Sequence, residues 1–246
     1  MNATTHKFNL TLELRQVREA LQCFAHTVLY HRTLGKFNYK HPDSYEVGVI
    51  GSKEVKCASL DVFYVRTNSP ELKWQLEPRI DEFMKSVQAG TVGLAYADRS
   101  RVTQSTDILR TNVRIEFFTK RKRSGWNFLA TGDECVVWEV WELGMAIVKV
   151  TSPEFLEQIR EKASEDLSLI QLQICSAMNT GSYVPKMPNS VEYGNVFDGS
   201  ISDCQPYHYR IRWPELDSEL QGSRLHLSTS SGYLRDGLDL VRKALR

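Results

Sequence analysis

The sequence has little cysteine and no long apolar run. Its five cysteines are scattered along 246 residues without a CxxC pair, which favours reduced thiols over a disulfide framework or a zinc site. No run approaches the roughly 18 apolar residues that a membrane-spanning helix needs, and no signal-peptide core is visible near Met1. These absences predict a cytoplasmic protein, or one that reaches a membrane only through a partner.

A bias of charge is also missing. The net charge is +1, from 31 lysines and arginines against 30 aspartates and glutamates, so nothing global indicates a nucleic acid as the ligand. The GxxxxGK[ST], GxSxG and HExxH motifs are absent. His26 and His31 would lie about 140° apart around a helix, too far to share a metal from one face. The sequence therefore predicts no catalytic residue, no cofactor and no metal site.

Strand and helix patterns follow each other along the whole chain. Alternating apolar residues predict strands at 8–14, 45–50, 57–66, 113–120, 135–150 and 207–213, with a short one near Leu225. Helical spacing predicts helices at 17–31, 70–87, 153–180 and 234–245. No internal repeat or linker divides the chain. This order predicts a single α+β domain with helices packed on a mainly antiparallel sheet.

Local signals refine this arrangement. Ser69 before Pro70 is typical of a helix start, and Pro78 predicts a kink or break in the same helix. Residues 36–42 are predicted to be loop or irregular edge. A turn at 51–53 is predicted to join the two strands that flank it. Residues 90–112 have little periodicity and are predicted to form a mobile insertion.

The strands at 113–120 and 135–150 predict a β-hairpin whose tip, residues 121–134, carries Trp126 and Phe128. Two interpretations of these aromatics stay open on the residues alone. They can fold back into the core of the domain, as most large aromatics do. They can instead project and anchor a partner protein, a role in which tryptophan is enriched.

Three charged segments allow two readings each. The basic run at 120–123 can contact phosphates or simply keep a loop solvated. His31 and Arg32 can contact another chain or cap the negative end of the first helix. Asp133 and Glu134 can form a catalytic carboxylate pair, which requires a deep pocket beside them, or remain solvated charges.

Several segments, in order, resemble the autophagy-related protein 101 family. They are HTVLYHR at 26–32, GKF at 35–37, YK at 39–40, DEC at 133–135, WEVW at 138–141, YVPKMP at 183–188, NVFD at 195–198 and QPY at 205–207. Together they cover most of residues 15–211, and no single short pattern carries the resemblance.

The resemblance implies a single HORMA domain over residues 1–246, with a protruding β-hairpin loop and a divergent C-terminal segment at 214–246. It implies a non-catalytic subunit of the kinase complex that starts autophagosome formation. Such a subunit pairs with the HORMA domain of autophagy-related protein 13, stabilises it, and recruits downstream autophagy factors. The implied location is cytoplasmic and at the phagophore assembly site, with membrane contact only indirect.

The family's exposed tryptophan–phenylalanine finger falls on Trp126, Asn127 and Phe128, with Asn127 where proline is common. His31 and Arg32 fall on the expected contact with the partner HORMA domain. One rival interpretation is a HORMA protein of chromosome or DNA-repair type that binds a peptide, with residues 120–123 as a nuclear import signal. Another is an enzyme that uses Asp133 or Glu134.

Overall fold

The computed structural model describes residues 3–95, 105–122, 133–150, 152–180 and 183–214. The tip of the predicted hairpin, with Trp126, Asn127 and Phe128, lies outside these residues. So do the predicted strand near Leu225 and the predicted closing helix at 234–245.

The described segments alternate between strands and helices. The strands are β1 (Thr4–Glu13), β2 (Thr33–Leu34), β3 (Phe37–His41), β4 (Ser44–Val47), β5 (Ser52–Cys57), β6 (Val62–Thr67), β7 (Ser105–Lys122), β8 (Asp133–Val150), β9 (Gln205–Pro206) and β10 (Tyr209–Arg212). The helices are α1 (Val17–His31), α2 (Pro70–Ala95), α3 (Pro153–Asn179) and the short α4 (Tyr193–Val196).

The main sheet has the strand order β1-β8-β7-β10. Strand β1 runs parallel to β8, whereas the β8–β7 and β7–β10 pairs are antiparallel. Helix α3 packs against β1 and α1, and α2 packs against β7. The core between these layers contains Leu12, Phe24, Phe117 and Trp141, each fully buried. This confirms the predicted α+β class with a mainly antiparallel sheet.

Elements with strong periodicity form where the sequence predicts them. Strand β1, helix α1 and helix α3 match the prediction to within a few residues. Helix α2 begins at Pro70, and the Ser69 hydroxyl caps it by accepting the Leu72 backbone N–H at 2.9 Å. Of the predicted kink or break at Pro78, the break is wrong, because α2 is continuous to Ala95, and the kink stays a prediction. Pro78 lies on the exposed side of the helix, where water can satisfy the carbonyl that proline leaves unpaired.

The pairing predicted around residues 36–66 is wrong. Instead of a loop, residues 37–41 form β3, which folds back on β4 through Pro42 and Asp43, a typical turn pair. Strand β5 begins at 52, inside the predicted turn, and pairs with β6. That hairpin turns at Asp61, whose φ of 51° is left-handed. Each strand therefore pairs with its neighbour in sequence, not across residues 51–53.

Most of the predicted insertion at 90–112 is regular structure. Helix α2 extends through residues 90–95, and β7 begins at Ser105. Ser105 pairs with Val150, and Thr111 pairs with Met145. The partner strand supplies the order that local periodicity does not indicate, since pairing and packing override weak strand propensity.

Candidate functional site

The β7–β8 hairpin is longer than the strands beside it. Both strands have 18 residues, which corresponds to roughly 60 Å of extended chain. Strand β1 pairs with β8 only from Glu139 onward, and β10 pairs with β7 only over residues 114–117. Residues 118–122 and 133–138 therefore have no strand neighbour but each other within the described chain. We call this two-stranded extension the distal ribbon.

The distal ribbon carries the ends of the predicted finger loop. Lys122 lies opposite Asp133 in the strand register, so residues 123–132 leave and re-enter the hairpin at adjacent positions. Arg121 lies opposite Glu134, an opposite-charge cross-strand pair of the kind that contributes about 0.2–1 kcal/mol. The predicted finger is thus attached at the end of an extension that leaves the main sheet.

A β-bulge marks the base of the distal ribbon. Phe117 pairs with Glu139, but Phe118 pairs with Val137, so Trp138 is the extra residue on β8. The bulge breaks the alternation of the strand, and Trp138 and Glu139 are both buried although they are consecutive. Trp138 packs edge-on against Tyr207, with ring centroids 5.5 Å apart.

Arg32 holds this bulge from the end of α1. Its Nε donates to Glu139 Oε2 at 2.8 Å and its terminal nitrogen donates to Oε1 at 2.6 Å. The guanidinium also lies over the Trp138 ring, 5.6 Å from its centroid. Arg32 is only 5% exposed and Glu139 only 1%. This is a two-pronged ion pair in the protein interior, where charges are stable only when paired and hydrogen-bonded.

The two predicted partner-contact residues therefore face different surroundings. Arg32 is the C-cap residue of α1, and its backbone N–H donates to the Leu29 carbonyl at 3.1 Å. Its side chain lies inside the chain, so direct contact with a partner is not what this geometry offers. His31 is half-buried and stays at the surface, with Nε2 3.5 Å from Cys175 Sγ. Burial, and then the charge of Arg32, lower the pKa of His31, which favours a neutral ring.

His31 belongs to an exposed apolar surface built from α1, β6 and α3. Its members are Tyr30, His31, Phe63, Val65, Gln171 and Cys175, and we call it the α1–β6–α3 face. A shallow cavity of about 580 Å³ lies in it. Phe63 is 52% exposed and Val65 is 41% exposed, high values for two large apolar side chains on the same face of one strand.

Strand alternation explains why β6 presents these residues. Val62 and Tyr64 are buried on the inner face, so Phe63 and Val65 point to the opposite side. Gln171 of α3 supports the strand there, since its amide donates to the Phe63 carbonyl at 3.0 Å. The face thus has an apolar centre on a fixed backbone. Phe63 and Val65 are not among the predicted site residues, although their alternation with Val62 and Tyr64 was the available signal.

The acidic pair of the enzyme interpretation is exposed, and it lines neither the cavity in the α1–β6–α3 face nor the one between α1, α2 and the β5–β6 hairpin. Asp133 and Glu134 are both exposed at the end of the distal ribbon, where water solvates them. Among the described residues, no cluster of three or more histidine, cysteine or acidic side chains could hold a metal ion. None of the helices in that part of the chain is long and apolar enough to cross a membrane.

Comparison with known proteins points in one direction. The family model described as Autophagy-related protein 101 matches residues 9–191. The relatives named Autophagy-related protein 101 from Xenopus tropicalis and Homo sapiens are each 35% identical over 219 residues, covering 89% of this chain and 91% of the relative. The protein of that name from Arabidopsis thaliana is 21% identical over 145 residues, which cover 58% of this chain and 53% of the Arabidopsis protein.

Proposed function

Since this chain belongs to the autophagy-related protein 101 family, we propose that it is a non-catalytic adaptor with a HORMA fold that acts in autophagy initiation. It pairs with the HORMA domain of autophagy-related protein 13, stabilises that domain, and recruits downstream factors through its finger at Trp126 and Phe128. Within the initiation kinase complex it works in the cytoplasm and at the phagophore assembly site, and meets membrane only through its partners.

The single observation that carries the pairing is the exposed α1–β6–α3 face. Apolar patches of this kind on soluble proteins mark interaction sites. Its apolar part includes Phe63 and Val65, and polar groups such as Gln171 line the same cavity, a mixture that is usual in protein interfaces. His31, neutral at physiological pH because its pKa is lowered by burial, can enter such an interface without a charge to desolvate.

Arg32 supports the proposal indirectly. Its ion pair with Glu139 ties the end of α1, which carries His31, to the base of the distal ribbon, which carries the finger. One buried contact thus connects the surface proposed for pairing with the extension proposed for recruitment. We assign Arg32 a positioning role at this junction and assign direct partner contact to His31.

A charge placed in the α1–β6–α3 face tests the pairing. Val65→Asp should weaken binding to the autophagy-related protein 13 HORMA domain by at least about 2 kcal/mol, roughly 30-fold, because a carboxylate would lose its water without gaining a partner. Isothermal titration calorimetry measures the change. Val191→Asp is the matched control, since Val191 is 87% exposed outside this face. Equal affinities for the two variants would remove the face from the interface.

Recruitment is tested separately at the finger. Trp126→Ala with Phe128→Ala should leave the thermal stability and the pairing unchanged while abolishing capture of downstream autophagy factors. Trp74→Ala, at a tryptophan that is 70% exposed on α2, controls for loss of any surface tryptophan. A double variant that unfolds would identify the two aromatics as core residues and end the finger assignment.

A further inference from the structure

A second cavity, of about 410 Å³, lies between α1, α2 and the inner face of the β5–β6 hairpin. Tyr64 lines both this cavity and the one in the α1–β6–α3 face. The polar side chains that line it are Gln22, His26, Lys53, Glu54, Lys56, Tyr64, Arg66, Lys73 and Glu77. The pairing proposed above makes no use of this cavity, and neither does the finger.

Two of its cations face each other at close range. Lys53 on β5 lies directly opposite Arg66 on β6, on the same side of the hairpin as Tyr64. Like charges at directly opposed positions destabilise a strand pair. In the described chain, no carboxylate lies within ion-pair distance of either residue, and Arg66 donates only to the neighbouring Thr67 carbonyl at 3.2 Å. Solvent around the exposed Lys53 screens part of this repulsion, and a bound anion would offset the rest.

Two carboxylates, Glu54 and Glu77, also line the cavity, but neither lies within ion-pair distance of Lys53, Arg66 or Lys73 in the described chain. Glu77 accepts the Gln22 amide at 3.0 Å and lies 3.8 Å from a terminal nitrogen of Arg18. Glu54 follows Lys53 on β5 and also lines the cavity in the α1–β6–α3 face. The fourth cation of the lining, Lys56, is paired with Asp61 at 2.6 Å.

Lys73 of α2 brings a third cation to the same space, also without a carboxylate partner in the described residues. The positive field acts on His26, which is 4% exposed and stacks on Tyr64 with ring centroids 5.7 Å apart. Burial first, and then the charges of Arg66 and Lys73, lower the pKa of His26 to about 4. Arg66 and Lys73 both line the cavity beside His26.

We propose that this cavity binds a phosphate monoester, with Lys53, Arg66 and Lys73 as its ligands. A phosphate monoester carries about −1.5 to −2 charges at pH 7, opposite in sign to the lining, where the cations outnumber the carboxylates Glu54 and Glu77. Arginine can hold two phosphate oxygens at once, whereas the lysines act as point charges. The neutral His26 ring and the Tyr64 hydroxyl add donors without adding charge. The cavity volume falls within the roughly 300–1,000 Å³ range of small-ligand sites.

The first test uses the full chain and proton NMR of the His26 ring. Inorganic phosphate at millimolar concentration should move the His26 resonance and raise its pKa, because a bound dianion offsets the field of Arg66 and Lys73. Sodium chloride at equal ionic strength should do neither. Equal effects of the two salts, or no effect of either, would overturn the proposal.

Variants then locate the site. Lys73→Gln should weaken phosphate binding about tenfold or more, the effect of losing one charge-assisted hydrogen bond, while Lys85→Gln on the exposed side of the same helix should not. Lys53→Gln should raise the melting temperature without phosphate, because it removes the repulsion with Arg66, and should abolish the additional rise that phosphate gives the parent chain. A Lys53→Gln variant that melts lower, or keeps the phosphate response, would contradict the site.

The source of the phosphate is decided with a third ligand. N-acetyl-O-phosphoserine amide binding more tightly than inorganic phosphate would indicate a phosphorylated protein side chain. Equal or weaker binding would indicate a free small phosphate. N-acetylserine amide is the unphosphorylated control, and its binding as tightly as the phosphorylated form would exclude recognition of phosphate altogether.

Discussion

Replacing Arg32 is the most direct test of the buried ion pair at the base of the distal ribbon. Arg32→Met keeps most of the aliphatic volume and deletes the charge. The Glu139 carboxylate, which is 1% exposed, then loses both of the hydrogen bonds that it accepts from Arg32. Breaking a buried pair on one side costs about 3–5 kcal/mol, because the remaining charge stays desolvated. We expect a loss of that size in the free energy of unfolding.

Arg114 and Glu142 provide a matched control on the same strand pair. Their closest nitrogen and oxygen are 2.6 Å apart, as in the Arg32–Glu139 pair, but the Arg114 side chain is 49% exposed. Arg114→Met should cost clearly less than Arg32→Met, because the Glu142 side chain that remains is 15% exposed and keeps contact with water, whereas Glu139 is 1% exposed. Equal distances with unequal burial isolate desolvation as the cause of the difference.

Urea denaturation followed by circular dichroism and tryptophan fluorescence measures both losses, with the m-value checked for constancy. A third variant, Arg32→Met with Glu139→Leu, replaces both charges with apolar groups. It should recover most of the loss, as apolar replacements of buried pairs do elsewhere. Two results would refute the reasoning: an Arg32→Met loss no larger than that of Arg114→Met, or a double variant that is less stable than the single one.

Two further predictions concern the pH dependence of stability at His26 and the effect of adding a side chain at Gly35. His26 has a folded-state pKa of about 4 against 6.5 when unfolded, so its contribution to stability is complete above pH 6.5 and is lost as the pH falls toward 4. The loss should amount to roughly 3 kcal/mol, and His26→Phe should remove that part of the pH dependence in urea titrations at successive pH values. Gly35→Ala should destabilise by about 1–3 kcal/mol or prevent folding, because its Cβ would lie 1.6 Å from the Gly48 backbone oxygen. Gly194→Ala, where nothing lies within 4 Å of the new Cβ, should stay within about 0.5 kcal/mol of the parent in thermal melts.

The sequence predicts the elements whose periodicity is strong and local. Helices α1 and α3 and strand β1 follow directly from apolar spacing, because one face of each packs on the core. The β7–β8 hairpin was predicted from alternation, but its full length was not. Residues 105–111 have weak strand propensity and are ordered by pairing with β8, a non-local cause.

The site is less accessible to sequence reasoning for a physical reason. Glu139 lies between apolar residues in an alternating strand, where a carboxylate is expected to face water. Its burial depends on the bulge at Trp138 and on Arg32, which is 107 residues away in the chain. Neither cause is visible in a local pattern. The family resemblance placed Arg32 in a functional segment, but only the fold gives its role.

The same kind of non-local cause brings the cations of the second cavity together. Lys53 and Arg66 look like ordinary solvated charges in the sequence, and the wrong strand pairing predicted for residues 45–66 hid their opposition. Correcting the register by itself places them side by side. Lys73, on α2, then reaches the same space through the packing of α2 on α1.

The bulge at Trp138 divides the hairpin into the distal ribbon beyond it and the part that is held by the main sheet and by Arg32. Side chains of a strand alternate, so a change of two residues in each arm beyond the bulge keeps every outward position outward, and a change of one reverses them. In either case the base of the distal ribbon, with the Arg32–Glu139 ion pair, stays unchanged. The reach of the arm can therefore change in steps of roughly 7 Å without disturbing the body of the protein. The length of the distal ribbon can therefore change during evolution while the ion pair that holds its base stays the same.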